Sequence, residues 1–170
     1  CFNYLKIEKG IEMHYDSDMP SKAGTGSSSA FTVGLLNALC ALQKKPTDKQ
    51  LLAKWATHIE QNLIKEKVGS QDQYSAAFGG FNYIEFHKDS TIKVFPIPTD
   101  KEYINNLQDH LMLVFTGFQH NADSIASTYD FKNRHKEISE MVKMANRAFY
   151  LLDSNKILEF GSLLNEAWYL

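Results

Sequence analysis

An α+β fold is the class that the sequence predicts, because segments with strand and helix patterns follow one another as strands, helices, strands and helices. Apolar residues alternate at 3–15, recur three or four residues apart at 28–63, alternate again at 81–98, and return to helical spacing after about residue 135. The 170 residues are enough for one domain with a sizeable core, or for one domain and part of a second.

The composition excludes several classes of protein. Eighteen Lys and Arg residues against 20 Asp and Glu give a net charge of −2, which disfavours a nucleic-acid binder that tracks phosphates. The apolar runs are far shorter than the ~20 residues that span a bilayer. Two cysteines, Cys1 and Cys40, form no disulfide framework and fit no zinc spacing. We therefore expect a cytoplasmic protein without a membrane or nucleic-acid partner.

The first half of the chain predicts strands and then two helices. Residues 3–15 predict one or two strands around the turn at Lys9 and Gly10. A helix follows from Ser28 to the breaker at 44–46, with one apolar face formed by Phe31, Leu35, Leu39 and Leu42. Thr47 or Asp48 can cap the next helix, whose predicted apolar face is Leu51, Leu52, Trp55, Ile59 and Leu63.

The second half predicts strands before helices. Residues 67–80 predict a loop with a short helical turn, and 81–86 and 91–98 predict a strand pair joined by the polar turn at 87–90. The continuous apolar run at 111–116 predicts a buried strand. Two helices are predicted at the end of the chain, and the second spans 155–169. The apolar face of the first is formed by Ile138, Met141, Val142, Ala145, Phe149 and Leu152.

The two chain ends resemble cuts through a longer protein. The first residue is Cys1 rather than Met, and the last eight residues continue a helical pattern. We therefore expect the 170 residues to be an internal fragment of a longer protein.

The segment at 20–30, rich in Gly and Ser, lies between a predicted strand and a predicted helix. Its glycines allow a tight turn and a close approach to a ligand, and a helix start offers unpaired N–H groups to a phosphate. Three consecutive serines add hydroxyls for phosphate oxygens or Mg²⁺. Neither the Walker A pattern nor the Rossmann fingerprint fits, because Ser27 follows Gly26 and position 29 is Ser29. A flexible linker or a plain helix cap is the alternative, and the flanking elements favour an anion site.

Two carboxylates are candidates for phosphoryl-transfer chemistry. Asp72, in the polar segment 69–74, can position or deprotonate an attacking hydroxyl. Glu60 lies twelve residues earlier, on the predicted polar side of the second helix, and can hold a metal ion. Either acid alone is more commonly a solvated surface group. Their combination with a phosphate-type loop makes the catalytic interpretation competitive.

These motifs resemble those of the GHMP family of small-molecule kinases. The family's phosphate loop matches here at Pro20, Gly24, Gly26, Ser27, Ser28 and Ala30, with Thr25 replacing the usual Leu. Residues 68–86, 115–117 and 160–168 are similar to the branch of the family that acts on D-glycero-D-manno-heptose 7-phosphate. The resemblance extends over essentially the whole chain.

The resemblance implies an α+β GHMP kinase architecture with two domains. Residues 1–104 would be the ATP-binding N-terminal domain, similar to domain 2 of ribosomal protein S5 and without its first strands. Residues 105–170 would begin a ferredoxin-like C-terminal domain and leave it incomplete.

The resemblance also implies a set of site residues. ATP would be bound by Pro20, Gly24, Thr25, Gly26, Ser27, Ser28 and Ser29. Mg²⁺ would be held by Ser28, or its neighbour Ser27, and by Glu60. Asp72 would be the catalytic residue that orients or deprotonates the anomeric hydroxyl of the sugar. The sugar would contact Gln71, Asp72, Gln73, Tyr74, Thr116, Gly117 and His120. His120 stands where the family usually has Arg. Compared with Arg, His would make a weaker and pH-dependent contact to a substrate phosphate.

The function implied is an ATP- and Mg²⁺-dependent sugar kinase. It would phosphorylate the anomeric hydroxyl of D-glycero-D-manno-heptose 7-phosphate and give the 1,7-bisphosphate. Two alternatives remain: another GHMP sugar kinase, similar to fucokinase or galactokinase, and a non-catalytic relative that senses sugars. The expected partner is a small sugar phosphate, and a homodimer is left open.

Overall fold

The computed structural model describes residues 1–17, 24–97, 100–114, 117 and 134–170. The first part of the chain contains α1 (Phe2–Leu5), α2 (Ser27–Leu42), α3 (Lys49–His58), a π-helix (Ile59–Ile64) and α4 (Gln71–Phe78). The second part contains β1 (Asn82–Phe86), β2 (Ile92–Pro96), α5 (Lys101–Asp109), α6 (His135–Asp153) and α7 (Ile157–Trp168). Helices and strands occupy separate stretches of the chain, so the α+β prediction is confirmed. Among the helices in these ranges, none has the length and hydropathy needed to cross a bilayer.

The first compact unit contains Cys1–Gly80, and its core forms where α2 packs on α3 and α4. Both predicted helices are confirmed, and Asp48 caps α3 by accepting a hydrogen bond of 2.7 Å from the backbone N–H of Leu51. The predicted face of α2 is wrong in part. The helix is apolar on nearly every side, so spacing alone does not identify the side that faces the core. That side consists of Val33, Leu36, Leu39 and Cys40.

The predicted strands at 3–15 are wrong. Residues Phe2–Leu5 form one turn of helix, and Leu5 packs in the core of the first unit. Residues 7–17 adopt no regular structure. A strand is stable only when a neighbouring strand satisfies its backbone groups, and within the described ranges nothing pairs with this segment.

The second compact unit lies within Phe81–Val114 and Tyr129–Leu170. The predicted strand pair is confirmed: β1 and β2 are antiparallel, with Tyr83 opposite Phe95. The polar turn is confirmed as well, and the backbone N–H of His87 donates a hydrogen bond of 2.9 Å to the carbonyl of Thr91. Four buried residues form the core of this unit: Ile97, Leu107, Leu152 and Ile157.

The helices of the second unit differ in part from their prediction. Helices α6 and α7 are confirmed, but on the predicted face of α6 Met141 and Val142 are exposed, and the buried residues lie near its C-terminal end. Helix α5 was not predicted, although its cap was readable in the sequence. Asp100 accepts a hydrogen bond of 2.7 Å from the backbone N–H of Tyr103.

The predicted buried strand at 111–116 is wrong for its described residues, 111–114. They form no strand, and Met112 is 87% exposed. Residues 115 and 116 lie outside the described ranges. An apolar run becomes a strand only beside another strand, and the sheet seen in the described part of the chain has only β1 and β2.

Candidate functional site

The loop rich in Gly and Ser leads directly into the first turn of α2. Gly26 is the N-cap of this helix with φ of 68°, and Gly24 has φ of 75°. Both angles lie in the left-handed region, which residues with a Cβ adopt only at a cost in free energy. Gly26 has no side chain to cap the helix, and the first turn contains no acidic residue. The N–H groups at the start of α2 therefore remain suited to a bound anion.

Asp72 lies directly against this loop. It is an exposed residue in the first turn of α4, and a Cβ built on Gly26 would lie 3.3 Å from its Cγ and 3.3 Å from its Oδ2. Gly26 and Asp72 are 46 residues apart in the sequence, and the fold brings them side by side. A phosphate held at the start of α2 would therefore have a carboxylate beside it.

Glu60 is buried beneath the start of α2, with 2% of its surface exposed. Its Oε2 accepts a hydrogen bond of 2.9 Å from the hydroxyl of Ser29. The same oxygen accepts a second hydrogen bond, of 2.5 Å, from the Nε2 group of Gln73, which is 1% exposed. One carboxylate oxygen thus has two donors, one from α2 and one from α4.

The second oxygen of Glu60 is a buried acceptor without a donor in the part of the chain that the structure describes. The same is true of Oε1 of Gln73. A buried acceptor left unsatisfied costs about 1–3 kcal/mol, so a donor or a cation is expected to complete this site. Mg²⁺ fits the residues present, because it prefers oxygen ligands and usually takes one or two carboxylates while phosphates and water supply the rest. No cluster of three His, Cys, Asp or Glu side chains that could hold a metal occurs in the described ranges.

A change in helix type accompanies the burial of Glu60. Regular α-helix ends at His58, and the π-helix that follows carries Glu60 in its first turn. The prediction that Glu60 lies on the polar side of this helix is therefore wrong, and so is the prediction that Leu63 lies on the buried face, since Leu63 is 55% exposed. The wider turn shifts each following side chain around the axis relative to an α-helix, which periodicity at 3.6 residues does not anticipate.

The three serines differ in their surroundings. Ser27 is half-buried, Ser28 is exposed, and Ser29 is buried against Glu60. The sequence predicts Ser28, or Ser27, as the partner of Glu60 in holding a metal. In the structure the serine that contacts Glu60 is Ser29, which the sequence assigned only to ATP. Thr25 is exposed beside these serines.

The residues predicted to line a sugar pocket face different ways. Gln71 is exposed, whereas Gln73 and Tyr74 are buried. The hydroxyl of Tyr74 lies 3.4 Å from Nε2 of Gln50 on α3, and its ring stacks on Phe78. Burial raises the pKa of Tyr74 above its usual value, and the hydrogen bond from Gln50 opposes this increase. Gly117 is exposed, and Pro20, Thr116 and His120 lie outside the described residues.

Residues 1–80 match the family described as the GHMP kinases N terminal domain. Over 170 residues the chain is 29% identical to a D-glycero-alpha-D-manno-heptose 7-phosphate kinase of Campylobacter jejuni, covering 98% of this chain and 50% of that protein. Over 102 residues it is 33% identical to a galactokinase of Pyrococcus furiosus, covering 51% of this chain and 28% of that protein. The chain therefore spans half or less of the length of these curated relatives.

Two solved structures are similar to 89% of this chain. A D-glycero-D-manno-heptose 1-phosphate kinase from Bacteroides thetaiotaomicron superposes with a TM-score of 0.73 at 26% identity, covering 89% of this chain and 45% of that one. A putative sugar kinase from Campylobacter jejuni gives a TM-score of 0.69 at 28% identity, covering 89% of this chain and 43% of that one. The GHMP kinase architecture implied by the motifs is thereby confirmed.

Proposed function

We propose that the protein is an ATP-dependent sugar kinase, because residues 1–80 match the GHMP kinases N terminal domain and the chain is similar to a sugar kinase over most of its length. The observation that carries the proposal is the proximity of Asp72 to Gly26, at which a built Cβ would lie 3.3 Å from the Asp72 carboxyl group. It places a carboxylate next to a helix start of the kind that binds phosphates. Kinase chemistry needs both groups at one point, because the acceptor hydroxyl must reach the γ-phosphoryl group in line.

Each half of this site has its own role. The N–H groups at the start of α2 and the positive end of the helix dipole stabilise the negative charge of the ATP phosphates. Gly24 and Gly26 allow the backbone to approach those phosphates closely. Asp72 accepts a hydrogen bond from the sugar hydroxyl, and this bond orients the hydroxyl oxygen. The carboxylate of Asp72 can also take the hydroxyl proton as the new bond to phosphorus forms. Positioning and charge stabilisation supply most of the catalysis in this scheme.

Glu60 and Ser29 are the residues proposed to hold Mg²⁺. Their support is the buried Oε1 of Glu60, an acceptor that a cation would satisfy. Ser28 stays a candidate on the family pattern, but the structure gives it no contact with Glu60. When bound, Mg²⁺ would neutralise charge on the phosphates of ATP.

The proposed acceptor is a heptose phosphate, with transfer to the anomeric hydroxyl of D-glycero-D-manno-heptose 7-phosphate to give the 1,7-bisphosphate. Two similar proteins carry names of heptose phosphate kinases, and those names place the phosphate at different positions, 7 and 1. A galactokinase-like activity is the second candidate, favoured by the 33% identity over 102 residues. The domain boundary near residue 104, a homodimer and a cytoplasmic location stay predictions from the sequence.

The test is ADP release from Mg-ATP by the full-length protein that contains this chain. The acceptors offered would be heptose 7-phosphate, heptose 1-phosphate, unphosphorylated heptose, galactose and fucose. Turnover on heptose 7-phosphate, with product phosphorylated at the anomeric carbon, is the expected result. Turnover on galactose or fucose alone would keep the kinase and replace the substrate. No turnover on any acceptor, with ATP still bound, would overturn the kinase proposal in favour of a sugar-sensing relative.

A further inference from the structure

Gln73 is fully buried, yet its amide contacts a carboxylate rather than other amides or the backbone. We infer that Gln73 is a positioning residue that orients the carboxylate of Glu60 towards a divalent cation, an inference that rests on the proposed kinase function. The sequence had assigned Gln73 to the sugar pocket. In the structure, its Nε2 group donates to Oε2 of Glu60.

The chemistry of the two groups fixes how they are oriented. An ionised carboxylate only accepts hydrogen bonds, so the amide of Gln73 must present its NH₂ group and not its carbonyl. Together with the hydroxyl of Ser29, this amide occupies the Oε2 side of Glu60. The remaining oxygen, Oε1, is buried without a donor in the described structure. Oε1 is therefore the atom left for a cation.

A purely structural role explains these contacts poorly. Oε1 of Gln73 is itself a buried acceptor with no partner seen in the described ranges, which costs stability that an apolar side chain of similar volume would not. The backbone of Glu60 is held separately, because its carbonyl accepts a hydrogen bond of 2.9 Å from the N–H of Glu66. The amide of Gln73 therefore orients the side chain of Glu60 and is not needed to hold the π-helix that carries Glu60.

The experiment uses the full-length protein with Gln73→Met, which keeps the volume of the side chain and removes its donor. Binding of Mn²⁺ in the presence of ADP would be measured by electron paramagnetic resonance, and binding of ADP without metal by calorimetry. We expect the Mn²⁺ dissociation constant to rise by about 10- to 100-fold, the range seen when a group that orients a metal ligand is removed. We expect binding of ADP without metal to remain within about two-fold, because the Gly and Ser loop is unchanged.

Gln50→Met is the matched control. Like Gln73, Gln50 links α4 to a neighbouring helix through its side-chain amide, but its partner is the hydroxyl of Tyr74, not Glu60. Its Mn²⁺ affinity should equal that of the wild type. If Gln73→Met does not fold, Gln73→Leu replaces it with the same expectation, since Leu has no donor for Oε2 of Glu60 either.

Two results would overturn the inference while the kinase proposal stands. One is unchanged Mn²⁺ affinity in Gln73→Met, and the other is an equal loss in Gln50→Met, which would indicate a general effect of packing. A wild-type protein that binds neither ADP nor Mn²⁺ with ADP would overturn the kinase proposal, and the inference with it.

Discussion

Two regions of the molecule gather carboxylates, and they do so under opposite conditions. In the first unit, Glu60 is buried among donors from α2 and α4, with one oxygen left unsatisfied in the described structure. In the second unit, a cleft beside α5 is lined by polar and acidic side chains that water can reach: Asp100, Glu102, Tyr103, Asn106, Asp153 and Asn155. There, Asp100 already caps a helix.

The difference shows that a buried carboxylate oxygen without a donor, more than the number of charges, marks a candidate cation site. Solvated carboxylates keep their hydration, so the cleft in the second unit requires no ligand for its stability. A buried carboxylate loses hydration and must recover it from donors or a cation. Although the cleft holds more acidic groups, the region around Glu60 is the one whose chemistry is incomplete.

The largest effect that would separate the two regions is the loss of catalysis on substituting Asp72, the exposed carboxylate beside the loop rich in Gly and Ser. For Asp72→Asn we expect kcat for phosphoryl transfer to fall by about 10²- to 10⁴-fold, the range for removal of a general base. ATP binding should change little, because the N–H groups of α2 remain. Asp153→Asn, in the cleft of the second unit, is the matched control and should keep wild-type kcat. The comparison would be broken by similar losses in the two variants, measured by ADP release.

A smaller effect is expected at the two glycines of the loop. Gly24→Ala and Gly26→Ala each place a Cβ at positive φ, so each should lower the free energy of unfolding by about 1–2 kcal/mol. Only at Gly26 does the new Cβ meet Asp72, at 3.3 Å, whereas at Gly24 nothing lies within 4 Å in the described structure. Urea unfolding measures the loss of stability that the two variants share. The value of kcat measures the additional effect of the new Cβ beside Asp72.

The two variants separate strain in the loop from contact with Asp72. Gly26→Ala should lose more kcat than Gly24→Ala at similar stability. Equal kcat in the two variants would show that the contact between Gly26 and Asp72 does not matter for catalysis.

The smallest effect concerns a tyrosine in each unit. Burial raises the pKa of Tyr74 above 10.0, and burial followed by the negative charge of Asp153 raises that of Tyr103. In both cases the folded state holds the phenol proton more tightly than the unfolded chain does. The resulting stability is complete below about pH 10 and is lost as the pH rises through the folded-state pKa values.

The tyrosine pKa values can be separated by ultraviolet absorbance titration, with Tyr74→Phe and Tyr103→Phe identifying each signal. Asp153→Asn should lower the pKa of Tyr103 only in part, because burial is the larger cause, and should leave Tyr74 unchanged. A shift of Tyr74 in that variant, or no shift of Tyr103, would contradict this assignment.

Local patterns in the sequence predicted the elements whose stability is local. The caps of α3, the hairpin of β1 and β2 and the helix after the Gly and Ser loop depend on neighbouring residues, and all three are confirmed. The segments at 3–15 and 111–114 were mispredicted because a strand depends on a distant partner that the residues themselves do not specify.

By itself, the sequence determined which residues are candidates for the chemistry: a turn of Gly and Ser before a helix, and the carboxylates at 60 and 72. Only the tertiary structure decided how they are combined. It placed Asp72 against Gly26, chose Ser29 rather than Ser28 as the partner of Glu60, and turned Gln73 inward. The physical reason is that contacts between α2, the π-helix and α4 depend on how helices pack and on one change of helix pitch, and neither is encoded in the spacing of any single segment.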